Sequence, residues 1–251
     1  MISIKSDREI ELLRIAGNIV HETREYLIPF IKEGITTKEL DTLAEDFIRS
    51  KGATPSFKGL NDFPGSICTS INQEVVHGIP SKRKLRNGDI ISIDIGACYK
   101  GYHGDSAWTF AVGEISPAKQ ALMEHTKESL FKGLEMIKPG NRIGDISHAI
   151  EVHAKKYNLG VVRELVGHGV GTSVHEEPDV PNYGEPHRGP VLKKGMVLAI
   201  EPMLTLGRRD ICILDDDWTI ETIDNSPAAH YEHTIVVTED GYEILTGGKN
   251  G

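Results

Sequence analysis

The stretch Leu85–Asp94, which reads LRNGDIISID, aligns without a gap with Leu192–Glu201, which reads LKKGMVLAIE. Both copies have a leucine, a glycine three residues later and an apolar run that ends in a carboxylate. A short apolar run of this kind is typical of a buried β-strand. The match therefore indicates an internal repeat in which each copy places one acidic residue at the end of a strand.

Helices are predicted before the first copy of the repeat. Apolar residues recur at helical spacing near the amino terminus, and two capping boxes, Ser6 with Glu9 and Thr36 with Glu39, mark two helix starts. Residues 65–113 then read as strands separated by glycine, proline and asparagine turns. The chain up to this point is predicted to form two helices followed by strands.

The same order is predicted around the second copy. Helices are expected over Pro117–Ile137, where proline suits the first helical position, and near Gly144–Tyr157, with strands and loops after them. We therefore expect an α+β protein of two pseudo-symmetric helix-helix-strand halves, roughly 1–113 and 114–251, with one active centre at their junction. No Pro- or Ser-rich linker separates the halves, so residues 1–251 are predicted to form a single domain.

The composition argues against binding to nucleic acids or membranes. The 251 residues include 28 Lys and Arg against 37 Asp and Glu, and the formal charge of -9 disfavours attraction to DNA and anionic lipids. No apolar run approaches the ~20 residues of a membrane span, and the amino terminus has no signal or transit pattern. We expect a cytoplasmic monomer. Its three cysteines, Cys68, Cys98 and Cys212, are far apart and odd in number, which indicates reduced thiols.

Four acidic residues stand at matched places in the two halves. Asp94 and Glu201 end the repeated strands, while Asp105 and Glu232 lie at or near the start of a later strand in each half. A single strand-end acid commonly points to solvent or pairs with arginine. Adjacent antiparallel strands can, however, bring such acids together, and burying them is costly unless a cation compensates their charge. Four acids at matched positions favour a shared site.

Such a cluster of carboxylates requires positive charge. Converging acids repel one another and raise some of their pKa values, and no Lys or Arg lies beside them in these motifs. Two divalent cations would balance four negative charges, and a carboxylate-bridged pair of ions about 3.5 to 4 Å apart is a recurring device for hydrolysis. The oxygen-rich ligand set suits Co²⁺, Mn²⁺, Fe²⁺ or Zn²⁺.

Three histidines are candidates for the same site. His168 lies within the glycine-rich stretch Gly167–Gly171, where the backbone can approach a metal closely. His175 follows seven residues later and is suited to hydrogen-bonding a carbonyl oxygen or an oxyanion, and His77 is a further candidate. A histidine in a loop often has no such role. The glycines of Gly167–Gly171 could also indicate a phosphate-binding loop, but no P-loop lysine follows them.

Other charged and titratable groups are assigned no catalytic role. His148 and His153 are five residues apart on a predicted helix, about 140° around it, so they do not share a face and are expected on the surface. The basic stretch Lys82–Arg86 reads as a solvated loop, with a transient ribosome contact as the alternative.

Six motifs in a fixed order connect these residues to a known family. They are SINQEVVHGIP (70–80), GDIISIDIGA (88–97), GYHGDSA (101–107), GHGVGTSVHEEP (167–178), AIEPM (199–203) and YEHTIVVTEDG (231–241). With them the chain resembles the type I methionine aminopeptidases over nearly its whole length. The resemblance implies the pita-bread fold, in which the two halves surround a central curved antiparallel sheet.

The resemblance also implies roles for single residues. The residues that match the five metal ligands of the family are Asp94, Asp105, His168, Glu201 and Glu232. By the same comparison His77 and His175 contact the substrate, and Glu201 helps to deprotonate the water that bridges the metals.

The methionine pocket matches the family less closely. Phe63, Cys68 and Trp218 stand where the family places aromatic and sulfur-containing pocket residues. Leu60 and Val174 occupy places where aromatic residues are expected in many relatives, which predicts a wider pocket or an aromatic cover from elsewhere. Plain core packing is the alternative role for each of these apolar residues.

The function implied is hydrolysis by a methionyl aminopeptidase. A dinuclear metal centre activating a bridging water would remove the initiator methionine from nascent polypeptides with a small second residue. The alternatives are a proline-specific aminopeptidase or prolidase of the same fold, and a metal-free binding protein. Proline-specific relatives usually carry an additional amino-terminal domain, and binding proteins usually lose metal ligands.

Overall fold

The fold is described from a computed structural model, which defines residues 2–248. Its four α-helices are α1 (Asp7–Leu27), α2 (Thr37–Ser50), α3 (Pro117–Leu134) and α4 (Ile143–Lys156). Short 3₁₀ turns cover Ile28–Phe30 and Leu60–Asp62. The four predicted helices are confirmed, although α3 ends three residues before the predicted Ile137.

The helix starts follow from local sequence. Both predicted capping boxes are present. The Glu9 carboxylate accepts a hydrogen bond from the Ser6 backbone N–H at 2.8 Å, and the Glu39 carboxylate accepts one from the Thr36 backbone N–H at 2.8 Å. These bonds satisfy backbone donors that a helix otherwise leaves without partners at its first turn. None of the helices within residues 2–248 is long and apolar enough to cross a membrane.

The strands are short outside the first half. In chain order they are β1 (Thr54–Pro55), β2 (Ile67–Ile71), β3 (Glu74–Val76), β4 (Ile90–Tyr99), β5 (Tyr102–Ala111), β6 (Gly160–Val161), β7 (Gly167–Gly169), β8 (Glu176–Val180), β9 (Val197–Ile200), β10 (Met203–Thr205), β11 (Ile211–Ile213), β12 (Ile220–Thr222), β13 (Ala228–His230), β14 (His233–Val237) and β15 (Tyr242–Ile244). All the strand pairs defined among these elements are antiparallel.

Hydrogen bonds divide the strands of the described chain into four sheets. The first half forms the order β1-β4-β2 with β5 paired to β4, and the second half forms β15-β14-β9-β7-β8. Two three-stranded sheets, β13-β10-β6 and β11-β12-β3, lie alongside them, and the latter joins a strand of the first half to two of the second. The expected α+β class with antiparallel strands is confirmed.

The repeated segments make the same backbone hydrogen bonds. The N–H of Gly88 donates to Val112 O at 2.8 Å, and the N–H of Gly195 donates to Val237 O at 2.9 Å. Both glycines have positive φ, 91° and 87°, a conformation that a residue with a side chain rarely adopts. The division into two halves of one domain stays a prediction. The matching hydrogen bonds and backbone angles at Gly88 and Gly195 support it.

Each half has its own apolar core between helices and strands. The first core includes the buried residues Ile19, Leu40, Ile67 and Ile93, and the second includes Leu122, Leu130, Ile150, Leu198 and Ile235. Helix α1 packs on β4 and β5, while α3 packs on β9, β10 and β13. The three cysteines form no disulfide. The two cores hold the strands of both halves against a common junction.

Helix α1 approaches β5 backbone to backbone at Gly104. A Cβ atom on Gly104 would lie 2.6 Å from the backbone nitrogen of Gly17, closer than real contacts allow. Gly17 of α1 and Gly104 of β5, which precedes Asp105, therefore allow the helix and the strand to approach closely.

Substituting Gly104 with alanine tests this packing. We expect Gly104→Ala to lower the free energy of unfolding in urea by about 1–3 kcal/mol, because the added methyl group forces the helix away from the strand. Gly241→Ala is the matched control, since its Cβ would lie 3.9 Å from the nearest atom, Ile137 O. An equal effect of the two substitutions would contradict the proposed close packing.

Candidate metal centre

The register of β4 and β5 places two acids side by side. Asp94 pairs with Ala107 and Asp105 pairs with Gly96, so the two acids are diagonal neighbours on one face of the sheet. Asp105 is buried, with 3 % of its surface exposed, and Asp94 is partly buried. The first half thus contributes two carboxylates to one point of its sheet.

The second half contributes three ligand candidates in the same way. Ile200 of β9 pairs with His233 of β14, and the next residues outward on these two segments are Glu201 and Glu232. His168 of β7 pairs with Ala199, two residues before Glu201 and therefore on the same face. Two acids and one imidazole accordingly meet at the end of this ladder.

Hydrogen bonds between the halves bring the two sets together. The Thr234 hydroxyl donates to Asp105 O at 2.7 Å and accepts from the Asp105 N–H at 3.2 Å. The Ser106 hydroxyl donates to Glu232 O at 2.6 Å, and the Glu232 N–H donates to Ala107 O at 2.8 Å. The backbones at Asp105 and Glu232 are therefore held together from both sides.

The side chains converge closely enough to share cations. His168 Nε2 lies 3.4 Å from Glu201 Oε1 and 3.9 Å from Asp105 Oδ2. Ligand atoms of Asp105, His168 and Glu232 all lie within 4.8 Å of one another, and so do those of Glu201, His230 and Glu232. These are two overlapping groups of possible ligands that share Glu232.

Three carboxylate oxygens of this cluster have no hydrogen-bond donor among the described residues. Asp94 Oδ1, Asp105 Oδ1 and Glu232 Oε1 are buried and have no hydrogen-bond partner within residues 2–248. An unsatisfied buried acceptor costs about 1–3 kcal/mol, and more when it is charged. Divalent cations would satisfy these oxygens and their negative charge together, so the residues present fit a metal centre.

A cavity of about 390 Å³ opens from the acids. The remaining predicted site residues lie around it, namely Phe63, Cys68, His77, His175 and Trp218. The ring of His175 is 4.4 Å from that of His168, and the ring of Trp218 meets Phe63 edge-on at 5.0 Å. All the site residues predicted from the sequence therefore line one cavity.

His77 and His175, the two predicted site histidines that are not candidate ligands, differ in backbone conformation and in exposure. His77 has a left-handed backbone with φ of 59°, an uncommon conformation outside glycine that is often found at functional sites. His175 is exposed at the rim. The arrangement leaves room for a ligand between His77, His175 and the acids.

The apolar end of the cavity is built by a small cluster. Phe57, Phe63, Cys68 and Val174 are buried together, with Leu60 and Trp218 packed against them. Leu60 lines the cavity, while Val174 lies behind it in the cluster. Burial raises the pKa of the Cys68 thiol well above its usual value, so the thiol stays neutral and acts as apolar lining.

Sequence comparison places the chain in a known family. A sequence model of metallopeptidase family M24 matches residues 11–239. The chain belongs to metallopeptidase family M24. Membership in this family implies the use of divalent metal, in agreement with the unsatisfied oxygens of the cluster.

Relatives within family M24 make the resemblance more specific. Methionine aminopeptidase 1 of Bacillus subtilis is 57 % identical over 98 % of this chain and 99 % of its own length. The crystal structure of methionine aminopeptidase from Rickettsia prowazekii superimposes with a TM-score of 0.97 at 40 % identity, covering 98 % of this chain and all of that one. The predicted resemblance to type I methionine aminopeptidases and the pita-bread fold are thereby confirmed.

A proline-specific member of family M24 is less similar. The prolidase of Pyrococcus horikoshii has a TM-score of 0.80 and 28 % identity, and this chain covers only 64 % of its length. The similarity is therefore confined to part of that protein, whereas the methionine aminopeptidases match from end to end.

One residue of the cluster was not predicted from the sequence. His230 is buried, and its Nε2 lies 3.3 Å from Glu201 Oε2 with no hydrogen-bond partner among the described residues. The available signal was its position two residues before Glu232, which in extended backbone puts both side chains on one side. His230 belongs with the candidate ligands and their immediate neighbours.

Without cations, burial shifts the titration of the whole M24 centre. Burial raises the pKa of Asp94 to about 6 and that of Glu201 to about 7. Burial, reinforced by the neighbouring carboxylates, raises the pKa values of Asp105 and Glu232 well above their usual range. Burial lowers the pKa of His230 to about 4, so this ring is neutral at pH 7.

Metal binding should therefore release protons. Cations bind the deprotonated acids, so their affinity falls as pH decreases through the pKa of Glu201, about 7, and that of Asp94, about 6. Calorimetric titration of the metal-free protein with Mn²⁺, in buffers of different ionisation enthalpy, measures the number of protons released. An affinity that does not change over this pH range would contradict the raised pKa values.

Proposed function

We propose that this protein is a methionyl aminopeptidase that removes the initiator methionine from nascent polypeptides whose second residue is small. The observation that carries the proposal is the end-to-end similarity to methionine aminopeptidases, joined to a carboxylate cluster that opens into an apolar cavity. The acids supply a hydrolytic centre, and the cavity supplies room for one unbranched apolar side chain.

Five residues are proposed to hold two divalent ions. They are Asp94, Asp105, His168, Glu201 and Glu232. The ligand atoms of Asp105, His168, Glu201 and Glu232 belong to the two converging groups. Asp94 is supported by its place diagonal to Asp105 and by its unsatisfied Oδ1. When bound, Co²⁺, Mn²⁺, Fe²⁺ or Zn²⁺ would supply Lewis acidity and make a water molecule between them more acidic.

Glu201 is proposed to accept the proton of the attacking water. Its carboxylate lines the cavity among the other candidate ligands, so it lies beside the place where the attacking water would be held. The neighbouring His230 is neutral, because burial lowers its pKa to about 4. Glu201 would therefore be both one of the metal ligands and the acceptor of the proton.

His77 and His175 are proposed to hold the substrate. Burial lowers the pKa of His77 to about 4. His175 is exposed as a residue, but its ring lies against that of His168, and the partial desolvation of the ring lowers its pKa below the usual value. Both rings are therefore neutral at pH 7. A neutral imidazole retains one N–H donor, which can hydrogen-bond the scissile carbonyl and the tetrahedral oxyanion that follows. Their positions on the cavity wall support this role.

The preference for methionine is assigned to the apolar end of the cavity. Phe63, Cys68 and Trp218 surround a space that is closed on one side by the carboxylates. A flexible, polarizable thioether side chain packs well against aromatic rings. A small second residue would be needed because the next side chain falls among His77, His175 and the acids.

The setting of the reaction is also proposed. We expect a cytoplasmic monomer acting on nascent chains, with a transient ribosome contact at Lys82–Arg86 as the nearest candidate surface. Four residues of this stretch are exposed, namely Lys82, Arg83, Lys84 and Arg86. Arg83 pairs with Glu74, and Lys82, Lys84 and Arg86 are the remaining cations of the stretch.

Peptide cleavage decides between methionine removal and the proline-specific alternative. The Mn²⁺-loaded protein should release methionine from Met-Ala-Ser, because the cavity accepts an apolar first side chain. It should leave an Ala-Pro peptide uncut, because the chain resembles prolidase only over part of that protein. Product analysis by mass spectrometry gives the answer. Preference for the proline peptide would overturn the assignment, and cleavage of neither would favour the metal-free binding protein.

Glu201→Gln tests the proposed base. The amide keeps the shape of the side chain but cannot take up the proton, so we expect kcat to fall by about 10²–10⁴-fold at saturating Mn²⁺. The variant should still fold, which its far-UV circular dichroism spectrum checks. The control is Glu239→Gln, an exposed acid that pairs with Lys194 away from the cavity. Unchanged turnover in Glu201→Gln would exclude the role given to it.

A further inference from the structure

A second group of metal-ligating side chains lies outside the catalytic cavity, where α3 packs against α4. His125 and Glu128 come from α3, and His153 comes from α4. One ligand atom from each lies within 4.8 Å of the other two. None of the three residues lines the catalytic cavity.

The donor atoms are close to one common point. His125 Nδ1 lies 2.9 Å from Glu128 Oε2, and His153 Nε2 lies 3.2 Å from the same oxygen. His125 and Glu128 are three residues apart on α3 and therefore share a face of that helix. Two rigid helices thus present two nitrogens and one oxygen to the same small volume.

Ring packing orients the first histidine. The ring of His125 stacks on Tyr157 at 3.4 Å with an interplanar angle of 12°. His153 also packs on Tyr157, at 5.0 Å between ring centres. Tyr157 therefore holds both imidazoles in place at the carboxyl end of α4.

The second histidine is partly buried, and its buried Nε2 atom lacks an adequate partner. The expectation that His153 is a surface residue was wrong, since only 11 % of its side chain is exposed. Its Nε2 is buried and, although near Glu128, makes no well-formed hydrogen bond within residues 2–248. A buried polar atom left in this state is uncommon and costly, and a cation would satisfy it.

We propose that His125, Glu128 and His153 form a third divalent-cation site, which takes Zn²⁺ or a similar imidazole-preferring ion and clamps α3 to α4. Two imidazoles and one carboxylate are a common zinc ligand set, and the exposed side of Glu128 leaves a fourth position for water. The set differs from the carboxylate-rich catalytic centre, so the two sites should rank metals differently. The ordinary alternative is a hydrogen bond between neighbouring residues of α3.

Zinc content tests the proposal. The enzyme, its double variant His125→Gln/His153→Gln and the control His148→Gln are dialysed against the same Zn²⁺ buffer, and bound metal is counted by elemental analysis. His148 lies on α4 but bonds Gly184 O, away from the site. Because the catalytic centre is identical in all three proteins, a difference in zinc reports on the proposed site alone.

The enzyme and the control should each bind one more Zn²⁺ per chain than the double variant. Their Tm should also rise with zinc by about 5 °C or more above the rise seen in the double variant, since the ion binds only the folded helix pair. In crystals, the anomalous zinc signal should lie about 2.0–2.1 Å from His125 Nδ1 and His153 Nε2.

Equal zinc content in the three proteins would overturn the proposal. If the double variant does not fold, Glu128→Gln replaces it, because this residue is exposed and its amide keeps the same shape. That variant should weaken the extra site by about tenfold or more. An unchanged affinity in Glu128→Gln would overturn the proposal in the same way.

Discussion

The fold is organised around the mutual repulsion of four carboxylates. Asp94, Asp105, Glu201 and Glu232 meet where the halves join, and burial there raises the pKa of every one of them. Charges of one sign at such distances destabilise the folded state unless cations lie among them. The hydrogen bonds between β5 and the segment 230–234 hold the acids together despite this repulsion. The binding energy of the metal is therefore part of what stabilises the junction.

Much of this arrangement could be predicted from the sequence. The capping boxes marked the starts of α1 and α2 because the bonds involved are local in sequence. The repeat located Asp94 and Glu201, since a carboxylate that ends an apolar strand is conspicuous at any position. Matched positions in the two halves added Asp105 and Glu232, and the glycine-rich stretch pointed to His168. The motif order then assigned the ligand and substrate roles, and comparison with relatives confirms the family. The ligand roles themselves stay predictions that the convergence of the side chains supports.

The features that the sequence did not predict depend on tertiary packing. The two-residue spacing of His230 from Glu232 was the only local signal for this histidine, and its place beside Glu201 follows from how its strand meets the neighbouring strands. His153 was expected in solvent because its own helix gave it no partner, and only the docking of α3 brings His125 and Glu128 to it. The division of the strands into four sheets likewise depends on which edges meet, which local patterns do not encode. Contacts between distant segments are the part of a fold that propensity and spacing specify least.

The most direct measurement of the central claim compares the stability of chelated and Mn²⁺-loaded protein as pH rises. In the chelated protein, the stability present below about pH 4 is lost as pH rises through about 6 and about 7, where Asp94 and Glu201 deprotonate in the folded state. The reason is that the unfolded chain releases these protons at lower pH. The account predicts that the difference in unfolding free energy between loaded and chelated protein grows over this range. A chelated protein as stable as the loaded one at pH 8 would contradict it.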